Sequence, residues 1–151
     1  MVSGGQTGAD RAALDAAIAV GVEYGGWCPQ GGWAEDFPSR PGLLTQYPYL
    51  RETPVDNASA RTTWNVRDSH ATLILHVDAV ASPGTDLTVA TARSLGRPLL
   101  VGEVDRTDVV LAWLGTLGEG LTLNVAGPRE SEVPGVYADA RRTLEDVLRP
   151  S

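Results

Sequence analysis

The sequence predicts an α/β fold built around a mostly parallel sheet. Short β-branched or apolar runs alternate with segments that carry helix periodicity and helix-stop residues, which is the pattern of successive βα units. The run 71–77 is predominantly apolar, as expected of a strand that lies at the centre of a parallel sheet. At 151 residues, the chain has the length of one domain, and we expect a single domain over residues 1–151.

The helices follow from apolar spacing and from start and stop residues. In the segment 10–20, four apolar side chains fall on one helical face and Gly21 supplies the stop. The predicted helices are 10–20, 57–68, 86–95 closed by Gly96, 105–117 with an aspartate at its N-terminus, and 137–148 preceded by Pro134 and Gly135. The predicted strands are 1–3, 24–28, 50–53, 71–77, 98–101 and 121–126.

The segment 29–49 is predicted to be irregular, because it carries four prolines and several glycines. A loop of this length inside a compact domain is usually functional. Its aromatic residues are too numerous for a flexible linker. We therefore expect an ordered lid or a subunit contact.

Composition removes several classes of function. The formal net charge is −7, which argues against binding to nucleic acid or to an anionic membrane. All twelve basic residues are arginine, which excludes a Walker-type phosphate loop and any lysine nucleophile. The single cysteine, Cys28, cannot form an internal disulfide and is expected to be a buried or half-buried thiol. With neither a membrane span nor a signal-peptide pattern, we expect a soluble, cytoplasmic protein.

Three predicted strands are followed by glycine-bearing turns: the first at residues 4–8, the second at 82–86 and the third at 124–129. In a parallel sheet such turns lie at the carboxyl edge, where ligands bind. In the first turn, glycines permit close backbone approach, Thr7 can cap the next helix, and free N–H groups attract a phosphate or carboxylate. In the third, the rigid pair Gly127-Pro128 would aim the Arg129 guanidinium into the crevice. Each feature also has an ordinary reading as a tight turn, a capped helix start or a surface arginine. The predicted anion-binding residues are Gly4, Gly5, Gln6, Thr7, Gly8, Ser82, Gly84, Thr85, Asp86 and Arg129.

The polar stretch 61–69 is a fourth candidate. Arg61 and Asn65 share a helical face, and Asp68 lies two turns beyond Arg61. These three residues are predicted to support the site, although capping or ion pairing of Asp68 is an equally good interpretation.

The other titratable residues indicate no catalytic or metal centre. His70 and His76 have no third ligand within sequence reach, so structural roles are expected for both and no metal site is predicted. The acidic residues, including Asp10, Asp15, Glu35 and Asp36, are expected to form a solvated surface.

With these motifs, the chain resembles the molybdenum cofactor carrier proteins, a Rossmann-like group related to the LOG, or lysine-decarboxylase-like, enzymes. The resemblance spans nearly the whole chain, although the family usually has a longer first strand than Met1 to Ser3. It rests on Gly4-Gly5-Gln6-Thr7-Gly8-Ala9-Asp10-Arg11, Gly26-Trp27-Cys28-Pro29, Ala34-Glu35-Asp36, Arg61-Thr62, Asn65-Val66-Arg67-Asp68-Ser69, Gly84-Thr85 and Asn124-Val125-Ala126-Gly127-Pro128-Arg129.

The resemblance implies a Rossmann-like three-layer sandwich, a homo-oligomer (dimer or tetramer), and a pocket for the phosphate and pterin of molybdenum cofactor. The implied phosphate binders are Gly84 and Thr85, with Gly5, Gln6 and Thr7 nearby. LOG-type enzymes carry a Gly-Gly-x-Gly-Thr-x-x-Glu motif, and here Thr88 occupies the position of the catalytic glutamate. Because threonine cannot act as a carboxylate base, the sequence favours binding without LOG-type hydrolysis.

Two alternatives remain open on the sequence. One is a nucleotide-directed hydrolase or transferase that uses Asp10, Glu35 or Asp68 in place of the missing glutamate. The other is a nucleotide-sensing module, which would bind a nucleotide tightly without turnover.

Overall fold

Helices and parallel strands alternate along the chain, as predicted. The computed structural model describes residues 1–55, 57–77 and 83–150. The helices are α1 (Ala9–Val20), α2 (Leu43–Gln46), α3 (Ala58–Arg67), α4 (Pro83–Ser94), α5 (Thr107–Leu117) and α6 (Val136–Leu148), with a 3₁₀ turn at Gln30–Gly32. The strands are β1 (Trp27–Cys28), β2 (Arg51–Glu52), β3 (Ala71–His76), β4 (Leu99–Glu103) and β5 (Leu123–Ala126).

One residue of the N-terminal segment joins the strands into a single parallel layer. β3 lies between β4 and β5, and β1 pairs with β2, all in parallel register. Val2 forms parallel bridges to Gly25 on one side and to Asn124 on the other. Its N–H donates to the carbonyl of Leu123 at 2.8 Å, and the Val125 N–H donates to the Val2 carbonyl at 3.0 Å. The order across the layer is therefore β4, β3, β5, Val2, β1, β2.

The helices lie on both faces of this layer, which confirms the α/β, Rossmann-like sandwich. α1 and α5 each pack against α6 on one face, whereas α3 packs against α4 and β1. Leu73 and Leu75 of β3 join the core beneath α1 and α6, and Thr72 and Ile74 point to the opposite face because strand residues alternate. Within the described residues, none of the helices combines the length and apolar character needed to span a bilayer.

The predicted elements differ from the structure at strand and helix ends. The predicted strand 1–3 is reduced to the bridges of Val2, the predicted strand 24–28 is reduced to β1, and α2 lies in the segment that was predicted to be irregular. α4 begins at Pro83, three residues earlier than predicted. α5 begins at Thr107 with Arg106 at the N-cap position, so the predicted N-terminal aspartate, Asp105, does not cap it. Asp108, which pairs with Arg106 at 3.0 Å, supplies the negative charge in the first turn instead.

The segment 29–49 is ordered by burial of its own apolar side chains. Leu43 and Tyr47 of this segment pack with Leu14 of α1 and with Cys28 in a second core cluster. Burial raises the pKa of the Cys28 thiol to about 11, in agreement with the expected buried thiol. The loop is therefore a packed wall on the domain.

The first and third glycine turns meet backbone to backbone. Gly8 has a φ of 82°, and a Cβ placed on it would lie 2.2 Å from the Pro128 carbonyl oxygen. The Ala9 N–H donates to that same oxygen at 3.0 Å. A Cβ on Gly127 would lie 2.4 Å from the carbonyl oxygen of Leu75 at the end of β3. Only glycine permits this approach of α1 to the ends of two strands.

We expect Gly8→Ala to lower the free energy of unfolding by about 3 kcal/mol or more, since the methyl group adds overpacking to left-handed backbone strain. Gly21→Ala is the matched control, because Gly21 has a φ of 77° and no atom within 4 Å of an added Cβ. The free energy of unfolding of Gly21→Ala should fall by only about 1 kcal/mol. Urea denaturation of both variants measures the difference, and equal losses would contradict the close approach described here.

Candidate functional site

The three glycine turns converge on one cleft at the carboxyl edge of the sheet. The cleft lies between β3 and β5. The chain continues from β3 to α4 on one face of the sheet and from β5 to α6 on the other face. Ligands of parallel α/β sheets usually bind at such a position. Its volume is about 110 Å³. It is lined by Gly4, Gln6 and Asp10 from the first turn and α1, by Arg61, Thr62 and Asn65 from α3, by Gly84, Thr85 and Thr88 from α4, and by residues 124–127, Arg129 and Glu132 from the third turn.

The N-terminus of α4 supplies hydrogen-bond donors to this cleft. Gly84 and Thr85 stand in the first turn, where backbone N–H groups have no partner within the helix and the helix dipole is positive. The Thr88 hydroxyl is buried and donates back to the Gly84 carbonyl at 2.8 Å. Asp86 is exposed and outside the cleft lining, and the predicted Ser82 lies outside the described residues.

Two arginines bring positive charge to the cleft. Arg61 Nη1 lies 3.4 Å from Oδ2 of Asp10. The ion-pair partner of Arg61 is therefore Asp10 rather than Asp68. The Arg129 side chain is 45% exposed, and its Nε lies 3.9 Å from a carboxylate oxygen of Glu132. The arginine predicted from the third turn thus lies at the cleft while also making a loose surface ion pair.

Asp68 and Asn65 are engaged with β1. Asp68 pairs with Arg67 at 2.8 Å and accepts a hydrogen bond from Trp27 Nε1 at 2.8 Å, so it lies outside the cleft lining. The Asn65 carboxamide accepts from the Trp27 N–H at 2.8 Å and donates to the Trp27 carbonyl at 2.9 Å. Asn65 lines the cleft while holding the end of the neighbouring strand.

Asp10 is buried rather than part of the expected solvated surface. Only 5% of the residue is exposed, and burial raises its carboxyl pKa to about 6, although the Arg61 guanidinium opposes this shift. Gly4 makes room for the pair, because a Cβ there would lie 2.3 Å from Arg61 Nη1. The cleft therefore contains a buried carboxylate whose charge is balanced by one arginine.

The side chains of the first turn hold the loop 29–49 against the domain. The predicted cap of α1 by Thr7 is wrong, because Gly8 occupies the N-cap position without a side-chain hydrogen bond. The first N–H of α1 is also directed to the Pro128 carbonyl rather than to the cleft. Three contacts attach the loop: Gln6 Nε2 to the Trp33 carbonyl (2.9 Å), Thr7 Oγ1 to the Glu35 carboxylate, and Arg11 Nη1 and Nη2 to both oxygens of Asp36 (2.8 and 2.9 Å).

These contacts set the charge states of the loop carboxylates. The Arg11 guanidinium lowers the pKa of Asp36, and hydrogen bonds from Thr7 and Ser131 lower the pKa of Glu35. Both carboxylates therefore favour their charged, hydrogen-bonded forms at neutral pH. The remaining glycine of the motif, Gly5, faces apolar side chains below the loop rather than the cleft.

A recess beside the cleft is lined by this loop. Its volume is about 330 Å³, and it shares Gln6, Arg61 and Arg129 with the cleft. Pro29, Gln30, Trp33 and Asn57 complete its lining. The arrangement joins a small polar cleft to a larger chamber that has an indole in its wall. The sequence predicted the aromatic loop but not its position beside Gln6.

Neither His70 nor His76 lines the cleft or the recess. The Nδ1 atom of His70 accepts a hydrogen bond from the Thr122 N–H at 2.7 Å, which is a structural role. Over residues 1–55, 57–77 and 83–150, the metal-binding side chains form no group able to hold an ion. Asp15 accepts hydrogen bonds from the Tyr47 and Tyr137 hydroxyls. This carboxylate therefore joins α1 to the loop and to α6.

Asp10 gives a test of the cleft's electrostatics. Because its folded-state pKa lies above the ordinary value of 3.8, its contribution to stability is complete below pH 4 and is lost as pH rises through about 6. We expect wild-type protein to lose about 2 kcal/mol between pH 4 and 7 relative to Asp10→Asn. Urea unfolding across this range measures the difference, with Asp105→Asn as an exposed control. Parallel profiles for wild type and Asp10→Asn would contradict it.

Comparison with known proteins identifies the family. None of the curated proteins matches the chain significantly. A crystal structure of the "Putative molybdenum carrier protein" from Syntrophus aciditrophicus SB is similar, with 37% sequence identity and a TM-score of 0.83 over 97% of this chain and 92% of that chain. The model of the circularly permutated YpsA SLOG family matches residues 1–148. The chain therefore belongs to the circularly permutated YpsA SLOG family.

Proposed function

We propose that this protein is a carrier that binds and protects molybdenum cofactor through its phosphate and pterin, without chemical turnover. The observation that carries the proposal is the convergence of the three glycine turns on one cleft beside an aromatic-walled recess. The similar Syntrophus aciditrophicus protein carries the name "Putative molybdenum carrier protein", which supports a cargo that contains molybdenum. The cofactor is the cargo of such a protein, and this chain's residues supply its binding groups.

The phosphate end of the proposed site is the smaller cleft. The first-turn amides of α4 and the Thr85 hydroxyl provide neutral donors, and a helix N-terminus favours an anion. Arg129 is half exposed and only loosely paired with Glu132, so its guanidinium can turn to a phosphate at small cost. Arg61 is less available to a phosphate, because it pairs with the buried carboxylate of Asp10. Gly84, Thr85 and Arg129 are therefore the proposed phosphate binders.

The charges nearby explain how an acidic chain can hold an anion. The formal net charge is −7, but the two arginines of the cleft offset Asp10 and Glu132 locally. The uncompensated positive character then comes from the N-terminus of α4. Binding in this arrangement depends on short-range donors rather than on the overall field.

Carrying without turnover is supported by the chemistry at Thr88. This residue lies in the cleft lining, at the position where LOG-type enzymes have a glutamate, and its hydroxyl donates to the Gly84 carbonyl at 2.8 Å. A threonine hydroxyl does not supply the carboxylate that N-glycosidic cleavage uses. The proposed site holds its ligand through hydrogen-bond donors and through the walls of the cleft and the recess alone.

The direct test is retention of the cofactor by purified protein under anaerobic conditions. We expect saturable retention, measured as bound molybdenum and pterin after size-exclusion chromatography. Thr85→Ala and Arg129→Ala should each weaken binding about tenfold or more, since each removes a donor to a charged group. Arg142→Ala is the matched control, because Arg142 pairs with Asp139 on α6, outside the cleft lining. A lack of saturable binding, or retention unaffected by both cleft variants, would overturn the proposal.

A second candidate, a nucleotide-directed hydrolase, is supported by Asp10. Of the three carboxylates considered from the sequence, Asp10 is the one in the cleft lining, and its pKa of about 6 suits proton transfer near neutral pH. This candidate predicts release of free base from nucleoside 5′-monophosphates, reduced about a hundredfold or more in Asp10→Asn. Asp68→Asn, outside the lining, should retain activity. No base release by wild-type protein would exclude this candidate.

A further inference from the structure

Gln6 carries an unsatisfied polar atom at the boundary between the cleft and the recess. The residue is 3% exposed and lines both cavities. Its Oε1 atom exposes less than 1 Å² and has no hydrogen-bond partner among the described residues. Leaving a buried acceptor unpaired costs about 1–3 kcal/mol, so such an atom calls for an explanation.

The orientation of the Gln6 carboxamide is fixed by the loop. Nε2 donates to the Trp33 carbonyl at 2.9 Å, and exchanging nitrogen with oxygen would place two acceptors against each other. Oε1 therefore remains an acceptor, and it requires a donor from outside the described side chains. Both cavities that Gln6 lines are open to a ligand.

The walls of the recess favour a planar ring. Trp33 is 42% exposed, and Pro29 provides a second apolar surface. Exposed indoles gain energy by packing against flat aromatic partners. Arg61 and Arg129 line both this chamber and the cleft that contains Gly84 and Thr85. A ring in the recess could thus be linked to an anionic group in the cleft.

We propose that Gln6 determines ligand specificity by accepting a hydrogen bond from an exocyclic amino group on a heterocycle bound in the recess. The acceptor is recessed, so the donor must project from the ring edge, as an amino group does and a ring N–H does not. Because Oε1 exposes less than 1 Å², this hydrogen bond requires the side chains around it to move when the ligand binds. An oxo group at the same position presents an acceptor to Oε1 and is repelled. This inference rests on the proposed function and names the ring chemistry of its site.

A matched pair of pteridines tests the inference without the phosphate. 6-Hydroxymethylpterin carries a 2-amino group, whereas 6-hydroxymethyllumazine carries a 2-oxo group and a hydrogen on N1 of the same pteridine ring system. We expect wild-type protein to prefer the pterin about tenfold or more in fluorescence titrations, as expected when a buried polar group is satisfied by one ligand and not by the other. Gln6→Leu should abolish this preference, so that the variant binds the two pteridines with about equal affinity.

The control is Gln46→Leu, because Gln46 is an exposed glutamine of α2 outside both cavity linings, and it should keep the wild-type preference. Equal affinity of wild-type protein for the two pteridines, or a preference unchanged in Gln6→Leu, would overturn the inference. The wild-type comparison decides the matter even if Gln6→Leu fails to fold. If cofactor retention still depends on Thr85 and Arg129, the carrier proposal survives that outcome.

Discussion

The site depends on the backbone contact between the start of α1 and the turn after β5. Gly8 and Gly127 lack side chains at the places where a Cβ would strike the Pro128 and Leu75 carbonyls. That contact brings the first turn, the end of β3 and the third turn within one cleft. If α1 were displaced by the width of a methyl group, Gln6 and Asp10 would move relative to Arg129, and the cleft would lose its shape.

Electrostatic balance is the second constraint on this region. A carboxylate as buried as Asp10 is costly unless it has a partner, and Arg61 provides one from a helix on the opposite face of the sheet. The pair also ties α3 to α1 across the sheet edge. Its removal from either side would disturb the fold as well as the cleft, which is why Arg129 is the more informative arginine for ligand binding.

Local signals were sufficient for the architecture and for the position of the cleft. α3 begins one residue after its predicted start, β3 occupies the predicted apolar run, and the glycine turns meet at the carboxyl edge of the sheet. Side-chain partnerships could not be predicted in the same way. Thr7 reaches Glu35 and Arg61 reaches Asp10 across stretches of chain that carry no shared periodicity. The burial of Asp10 likewise follows from the tertiary approach of α3, which its position on a helix does not reveal.

Two different structural elements hold the two ends of the proposed ligand. The phosphate end is built on α4, a helix of the main sandwich, whereas the wall of the ring chamber is a loop fastened by Gln6, Thr7 and Arg11. Loosening those fastenings would expose the ring while the phosphate stayed bound. The two halves of the proposed site would therefore respond separately to changes in these loop contacts.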